Sequence, residues 1–140
     1  MRILGFNISK ILVEKKDEVR ERLKLDQNID IIDIEKEKIQ ISEKEALKIK
    51  FKFTITYSKD YARIEFKGAV IILPEKEELE EFITAWKSKK IPEKPKIGLF
   101  NFIMSKCNIK ALNLEDELNL PYHIPMPRVA QENTSEQDKN

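Results

Sequence analysis

The order of hydrophobic periods along this 140-residue chain predicts an α+β fold. It is an antiparallel four-stranded β-sheet followed by two helices packed on one face. Three observations carry that expectation. Leu47, Ile49, Phe51, Phe53, Ile55 and Tyr57 alternate with Lys48, Lys50, Lys52, Thr54 and Thr56, the period of a strand with one buried and one wet face. A polar connection, Ser58-Lys59-Asp60, leads into a second run from Tyr61 to Leu73. There Ala62, Ile64, Phe66, Gly68, Val70 and Ile72 face one way and Arg63, Glu65 and Lys67 the other. Two such runs joined so briefly read as an antiparallel hairpin. Past Pro74 the period changes: Leu79, Phe82, Ile83 and Trp86 fall at i, i+3, i+4 and i+7, the stripe of an amphipathic helix.

The remaining elements are placed around that hairpin. Ile3 to Val13 reads as the first strand, with Leu4, Phe6, Ile8 and Leu12 on one face; Ile11 and Val13 break the alternation and predict a bulge or burial on both faces. Glu14 to Asp26 is densely charged, with Val19 and Leu23 four apart, and reads as a short exposed helix or a linker. Ile29 to Ile41 is rich in β-branched residues, which suit the pleat. Its face changes near Glu35-Lys36-Glu37-Lys38, so a turn or bulge belongs there, with two short strands as the alternative. Ser42 to Glu45 connects it to the hairpin. Fully burying each large apolar side chain of the hairpin contributes roughly 1.5–3 kcal/mol, so later elements must cover it. Glu75 to Lys87 is the first helix, with acidic residues at its positive end and Lys87, Lys89 and Lys90 at its negative end. Ile91-Pro92-Glu93-Lys94-Pro95 ends it. Ile97 to Lys110 is the second helix, with Phe100, Ile103, Met104 and Cys107 on one stripe, widened by Leu99 and Phe102. Ala111 to Leu114 and Leu118 to Pro121 read as extended or loosely turned, and Pro121, Pro125 and Pro127 favour polyproline-like geometry. Residues 1–129 are expected to form a single domain and residues 130–140 a disordered tail.

Composition bounds the function. Charged residues are 36% of the chain, the net charge is +1 and glycine occurs 3 times. That balance argues against a general polyanion binder, and the wealth of lysine, glutamate and isoleucine suggests a thermophilic source. The single cysteine, Cys107, excludes an intrachain disulfide and favours a cytoplasmic setting. No apolar run approaches the roughly 18–20 residues a membrane span needs, and the N-terminus lacks the pattern of a secretory leader.

No constellation of catalytic residues stands out. His123, the only histidine, has no glycine-rich turn or nucleophile signature beside it and reads as a packing or hydrogen-bonding residue. Cys107 falls on an apolar stripe, the position of a buried structural thiol. One cysteine and one histidine sixteen residues apart do not make a zinc site. Gly5, Gly68 and Gly98 stand alone, which excludes a phosphate loop; Gly68, inside a strand, marks a bulge or a close crossing. Lys87, Lys89, Lys90, Lys94 and Lys96 form a basic cluster that reads as a solvated loop. Its alternative is a nucleic-acid- or ribosome-associated surface. Trp86, Phe102, Leu112 and Leu114 belong to an apolar surplus beyond what two helices on a small sheet need. It serves as core, as an interface between copies, or as a groove for a polypeptide.

The layout resembles the SecB-like family, that of the bacterial export chaperone. The hairpin Lys50-Phe51-Lys52-Phe53-Thr54-Ile55-Thr56 with Arg63-Ile64-Glu65-Phe66-Lys67-Gly68-Ala69-Val70 is similar to that family's long hairpin. Leu118-Asn119-Leu120-Pro121 looks like its short extended element. The resemblance covers about residues 3–125. It implies a homo-oligomer that holds unfolded or nascent polypeptides in apolar grooves without ATP or a cofactor. The expectation is therefore a SecB-like binding module, a chaperone or adaptor and not an enzyme, whose expected peptide-binding residues are Trp86, Phe102, Leu112 and Leu114. SecB itself is acidic where this chain is nearly neutral, so docking to the export motor is not implied.

Overall fold

In a computed structural model of the chain, residues 1–17, 22–41 and 44–130 are described. Four strands come first: β1 (Arg2–Lys15), β2 (Leu25–Ile41), β3 (Lys44–Tyr57) and β4 (Ala62–Leu73). Two helices follow, α1 (Lys76–Trp86) and α2 (Glu93–Glu117). The strands form one antiparallel sheet in the order β1-β4-β3-β2. This is the α+β arrangement that the periodicities predict.

Register explains the two faces. Leu47, Ile49, Phe53, Ile55 and Tyr57 pair with Ile72, Val70, Phe66, Ile64 and Ala62, so both apolar rows lie on one side, here the inner face. Phe53 and Phe66 stack at 5.6 Å between centroids. Phe51 pairs with Gly68, and the missing side chain there has a cause: a Cβ on Gly68 would lie 2.1 Å from the Asn7 carbonyl oxygen of β1. β1 comes that close beside a register shift between Ile8 and Lys10. That shift, and a second between Ile3 and Gly5, carry Ile3, Phe6, Ile8, Ile11 and Val13 to the inner face, opposite Ile72, Val70, Gly68, Phe66 and Ile64. The bulge is the expected one, but Leu12 pairs with Glu65 and faces outward, which corrects the face read from simple alternation.

β2 is one continuous strand of 17 residues, not two. It absorbs its change of face through register shifts between Ile31 and Asp33 and between Glu37 and Gln40. The charged stretch before it is not a helix where described: β1 runs to Lys15, and residues 22–24 carry no regular structure. Leu23 packs against the core, and Val19 lies outside the described residues. The outer face is ionic. Asp30, Asp33 and Glu35 of β2 lie opposite Lys52, Lys50 and Lys48 of β3, a cross-strand pairing of opposite charges. The Lys50 ammonium, 2.8 Å from Glu35, is held above its usual range by that hydrogen bond. Glu65 is buried on this side, with Lys10 3.2 Å away and Arg63 bonded to it. Burial pushes its carboxyl up, but the Lys10, Arg63 and Lys52 charges outweigh that and hold it below the usual range.

Helix α1 begins at Glu75, whose backbone N–H donates to the Glu78 side chain at 3.0 Å in a capping box. It ends where Lys90 N–H donates to Ala85 O and Lys89 N–H to Trp86 O, with Lys89 at φ 58°. Helix α2 accepts Pro95 because that residue lies in the first turn, where no intrahelical N–H is required. It runs seven residues beyond the expected end at Lys110, so Ala111 to Leu114 is helical and not extended. The cause is an unbroken i, i+4 row, Pro95, Leu99, Ile103, Cys107, Ala111 and Glu115, all buried. Leu118-Asn119-Leu120 takes the turned alternative and not the extended one: it is the helix stop. Leu120 N–H donates to Glu115 O and Asn119 N–H to Asp116 O, with Asn119 at φ 56°. These are the paired bonds of a left-handed C-terminal cap. Of the expected tail, Ala130 is exposed without regular structure and 131–140 lie outside the described residues. No helix among the described residues is long and apolar enough to cross a membrane.

Candidate polypeptide-binding surface

The helical roof covers the centre of the sheet more fully than its edge strands, and Ile3, Phe6, Ile8 and Val13 of β1 are only half-buried. α2 lies over β4, and Ile49, Phe51 and Phe53 of β3 are fully buried beneath the roof. Their cross-strand partners on β2, Ile34, Ile31 and Ile29, are only half-buried on the same face. The two flanks of α2 look toward different edges. Phe102 meets Phe6 of β1 edge-on at 5.8 Å, and Lys15 of β1 donates to Leu118 O at 2.6 Å. The opposite flank carries Phe100, Met104, Asn108 and Leu112 in i, i+4 sequence; there Gln27 of β2 donates to Asn108 Oδ1 at 3.4 Å. Ile29, Ile31 and Ile34 on the inner side of β2 and Met104 and Leu112 on this flank of α2 are all half-buried, and together they make up a partly exposed apolar strip, here termed the trough.

The trough has two unlike ends. At the β2–β3 turn, α1 stands off the sheet and leaves a cleft of about 550 Å³ with Pro74, Leu79 and Ile83 in its lining. Its rim is charged: Lys44 pairs with Glu75 at 3.1 Å and Lys36 with Glu45 at 3.4 Å. At the far end the segment from Pro121 to Ile124 folds back on the sheet. Glu115, fully buried, accepts from the Tyr57 hydroxyl at 2.5 Å, from the His123 backbone N–H at 3.2 Å and from His123 Nδ1 at 2.9–3.0 Å. His123 Nε2 lies 2.8 Å from Asn108 Oδ1, and the ring stands edge-on to Phe53 at 6.5 Å. Three donors around one carboxylate are what makes a buried charge tolerable. The Tyr57 hydroxyl is pushed well above its usual range, by burial first and then by the Glu115 carboxylate.

The residues singled out in the sequence do not form one patch. Trp86 is half-buried at the end of α1, with Lys89 Nζ 4.8 Å from its ring. Phe102 and Leu114 pack against the core, Phe102 on the β1 flank of α2. Leu112 borders the trough. In the lysine cluster, Lys87, Lys89, Lys90 and Lys94 are exposed around the α1–α2 connection, and Lys96 lies 5.7 Å from the Phe100 ring. Two of the five lysines thus sit on aromatic faces within the protein. Cys107 is buried, and burial pushes its thiol up to about 12. Both nitrogens of His123 are engaged by protein groups. No three His, Cys, Asp or Glu side chains among the described residues gather as a metal site. Sequence reasoning passed over Ile29, Ile31 and Ile34 as site residues, together with the Tyr57, Asn108 and Glu115 network. The available signal was a glutamate four residues after Ala111 in an apolar register, and a tyrosine closing the apolar row of β3.

No protein-family model matches the chain, and no curated protein matches it in sequence. Among solved structures it is similar to a SecB-like chaperone of Mycobacterium tuberculosis, Rv1957, in complex with a ChAD peptide from the Rv1956 HigA1 antitoxin. The TM-score is 0.54 at 14% identity, over 92% of this chain and 89% of that one. At that identity the likeness speaks to architecture, and it does so across nearly the whole of both chains: the protein described here has the SecB-like fold.

Proposed function

We propose that the protein is a passive, ATP-independent polypeptide-binding protein, a SecB-like holdase or adaptor for unfolded or nascent chains. The observation that carries this reading is the partly exposed inner face of edge strand β2, where half-buried Ile29, Ile31 and Ile34 adjoin fully buried partners on β3. The solved relative of the same fold holds a peptide, which supports a polypeptide as the occupant. A client buries apolar side chains in the trough and against Leu112, with Trp86, Phe102 and Leu114 as further apolar contacts. Each large side chain removed from water contributes roughly 1.5–3 kcal/mol. The edge of β2 offers backbone groups for an added strand. Copies of the chain associate through the outermost row of α2, where Ile97 and Ile109 are 69% and 64% exposed. The cytoplasm is the proposed setting.

The test is suppression of aggregation of a chemically denatured client diluted into buffer without nucleotide, alongside the molar mass in solution. Stoichiometric suppression that persists at high salt supports burial as the driving force, since binding through the lysine cluster would fall steeply with salt. A monomer that leaves aggregation unchanged overturns the proposal.

A further inference from the structure

We infer that the outer face of the sheet carries a binding site for a small phosphate ester, seated over Ala69 between Lys67 of β4 and Lys48 and Lys50 of β3. The site lies across the sheet from the trough and stands independently of polypeptide binding.

A conflict of charge marks the place. Lys67 has a lysine directly opposite it on both neighbouring strands, Lys10 on β1 and Lys52 on β3. Like charges so placed repel and destabilise a sheet. Carboxylates relieve only the outer members of that row. Glu65 lies 3.2 Å from the Lys10 ammonium and bonds Arg63, and Lys52 has Asp30 opposite it on β2. Glu35 lies opposite Lys48 in register, yet its carboxylate is taken by Lys50 at 2.8 Å. Among the described residues, neither Lys48 nor Lys67 has a carboxylate in ion-pair contact. Both are half-buried, so solvent and salt screen them less than the exposed lysines of the α1–α2 connection.

The backbone gives these charges a common seat. Ala69 pairs with Asn7 on one side and Lys50 on the other, and it offers only a methyl group where its neighbours are long. The depression over it measures about 400 Å³, the size of a small-molecule pocket. Lysine supplies all of its charged lining: Lys48, Lys50 and Lys67. The cleft under α1, by contrast, mixes lysine with glutamate. Ser9 lies within the β1 register shift, and its hydroxyl donates to Lys67 O at 3.2 Å, which ties that rim to β4. The exposed Asn7 amide adds a neutral donor. Ammonium groups without a guanidinium suit phosphate, on which lysine acts as a point charge; a planar carboxylate is matched better by the arginine fork. Two lysines without a carboxylate and a third shared with Glu35 call for an anion of at least two negative charges. Ile32, 46% exposed in the same lining, offers an apolar contact to the organic part of an ester.

The experiment is calorimetric titration of the full chain with inorganic pyrophosphate at low ionic strength, where screening is least. One ion should bind per chain, and more tightly than citrate. Lys67→Met keeps an apolar stem and removes the ammonium together with its two repulsions. It should bind pyrophosphate at least about tenfold more weakly, the loss expected for a charge-assisted hydrogen bond. Without the probe it should melt no lower than the unaltered chain, whereas loss of a purely structural lysine would lower the melting temperature. Lys48→Met should weaken binding likewise, and Lys87→Met, in the exposed α1–α2 connection, should leave it unchanged. Absence of saturable binding overturns the site. So does affinity that is undiminished in Lys67→Met and Lys48→Met, or that falls equally in Lys87→Met. Citrate bound as tightly as pyrophosphate overturns the phosphate assignment. Each of these results leaves the polypeptide-binding reading where it stood.

Discussion

The inner face of the sheet is closed by different physics at its two ends. Where β3 begins and β4 ends, Leu47 and Ile72 are neighbours and both are buried; Leu99 of α2 is buried as well. Where β3 ends, Tyr57 meets Glu115 and His123. Hydrocarbon contact has no preferred direction and tolerates exchange between similar shapes. Hydrogen bonds to a buried carboxylate tolerate neither loss nor rotation of a partner. One end is thus held by apolar packing beside the cleft under α1, the other by a buried polar network.

The largest expected effect lies between the two ends. Phe53 stacks on Phe66 and faces the edge of the His123 ring, so Phe53→Ala should lower unfolding stability by about 3–5 kcal/mol in urea titration. The ends are contrasted next. Leu99→Met, a volume-conserving change, should cost less than about 1.5 kcal/mol. Glu115→Gln, equally close in shape, should cost about 1–3 kcal/mol, because it weakens charge-assisted bonds to Tyr57 and His123. Equal losses in the two variants would erase the distinction between the ends.

Much of the architecture was legible because its signals are local. The alternation runs unbroken from Leu47 to Tyr57 in β3 and from Ala62 to Gly68 in β4, and a one-residue slip would turn every side chain to the wrong face. β1 was harder. Its two bulges reset the alternation, so Leu12 looked equivalent to Ile8 until register was known. The end of α2 was missed because Glu115 occupies an apolar register, and a glutamate there reads as the end of a stripe. The trough could not be read from the chain at all. Ile29, Ile31 and Ile34 look as buried as Ile49, Phe51 and Phe53; only the position of the roof separates them. The lysines of β3, by contrast, read correctly as a solvated face, since alternation alone places them there.

Two smaller effects sharpen the picture away from the Glu115 network. On the outer face, Glu65→Gln should lower stability at neutral pH by about 1 kcal/mol, because its partners are half-exposed and screened. The folded carboxyl titrates below its unfolded value. Its contribution is therefore complete above the unfolded pKa and lost as pH falls through the folded one. Melts of the two proteins should converge in acid and separate toward neutrality; a constant gap across that range would mean that the charge is not the cause. Least of all should change at Cys107, whose thiol is buried and held protonated. A thiol reagent at pH 8 should leave the folded protein unmodified and label it on unfolding.

Among the described residues, three positions have positive φ: Asp60 in the β3–β4 turn, and Lys89 and Asn119 at the helix stops. None of the glycines does. A side chain in that conformation costs roughly 1–2 kcal/mol relative to glycine, yet glycine would enlarge the set of shapes open to the unfolded chain, a penalty of about 0.4–1 kcal/mol. By turning its corners on ordinary residues, the protein trades some local strain for a stiffer denatured ensemble. A chain that waits for long-range strand pairing before it folds gains from having fewer wrong shapes to search.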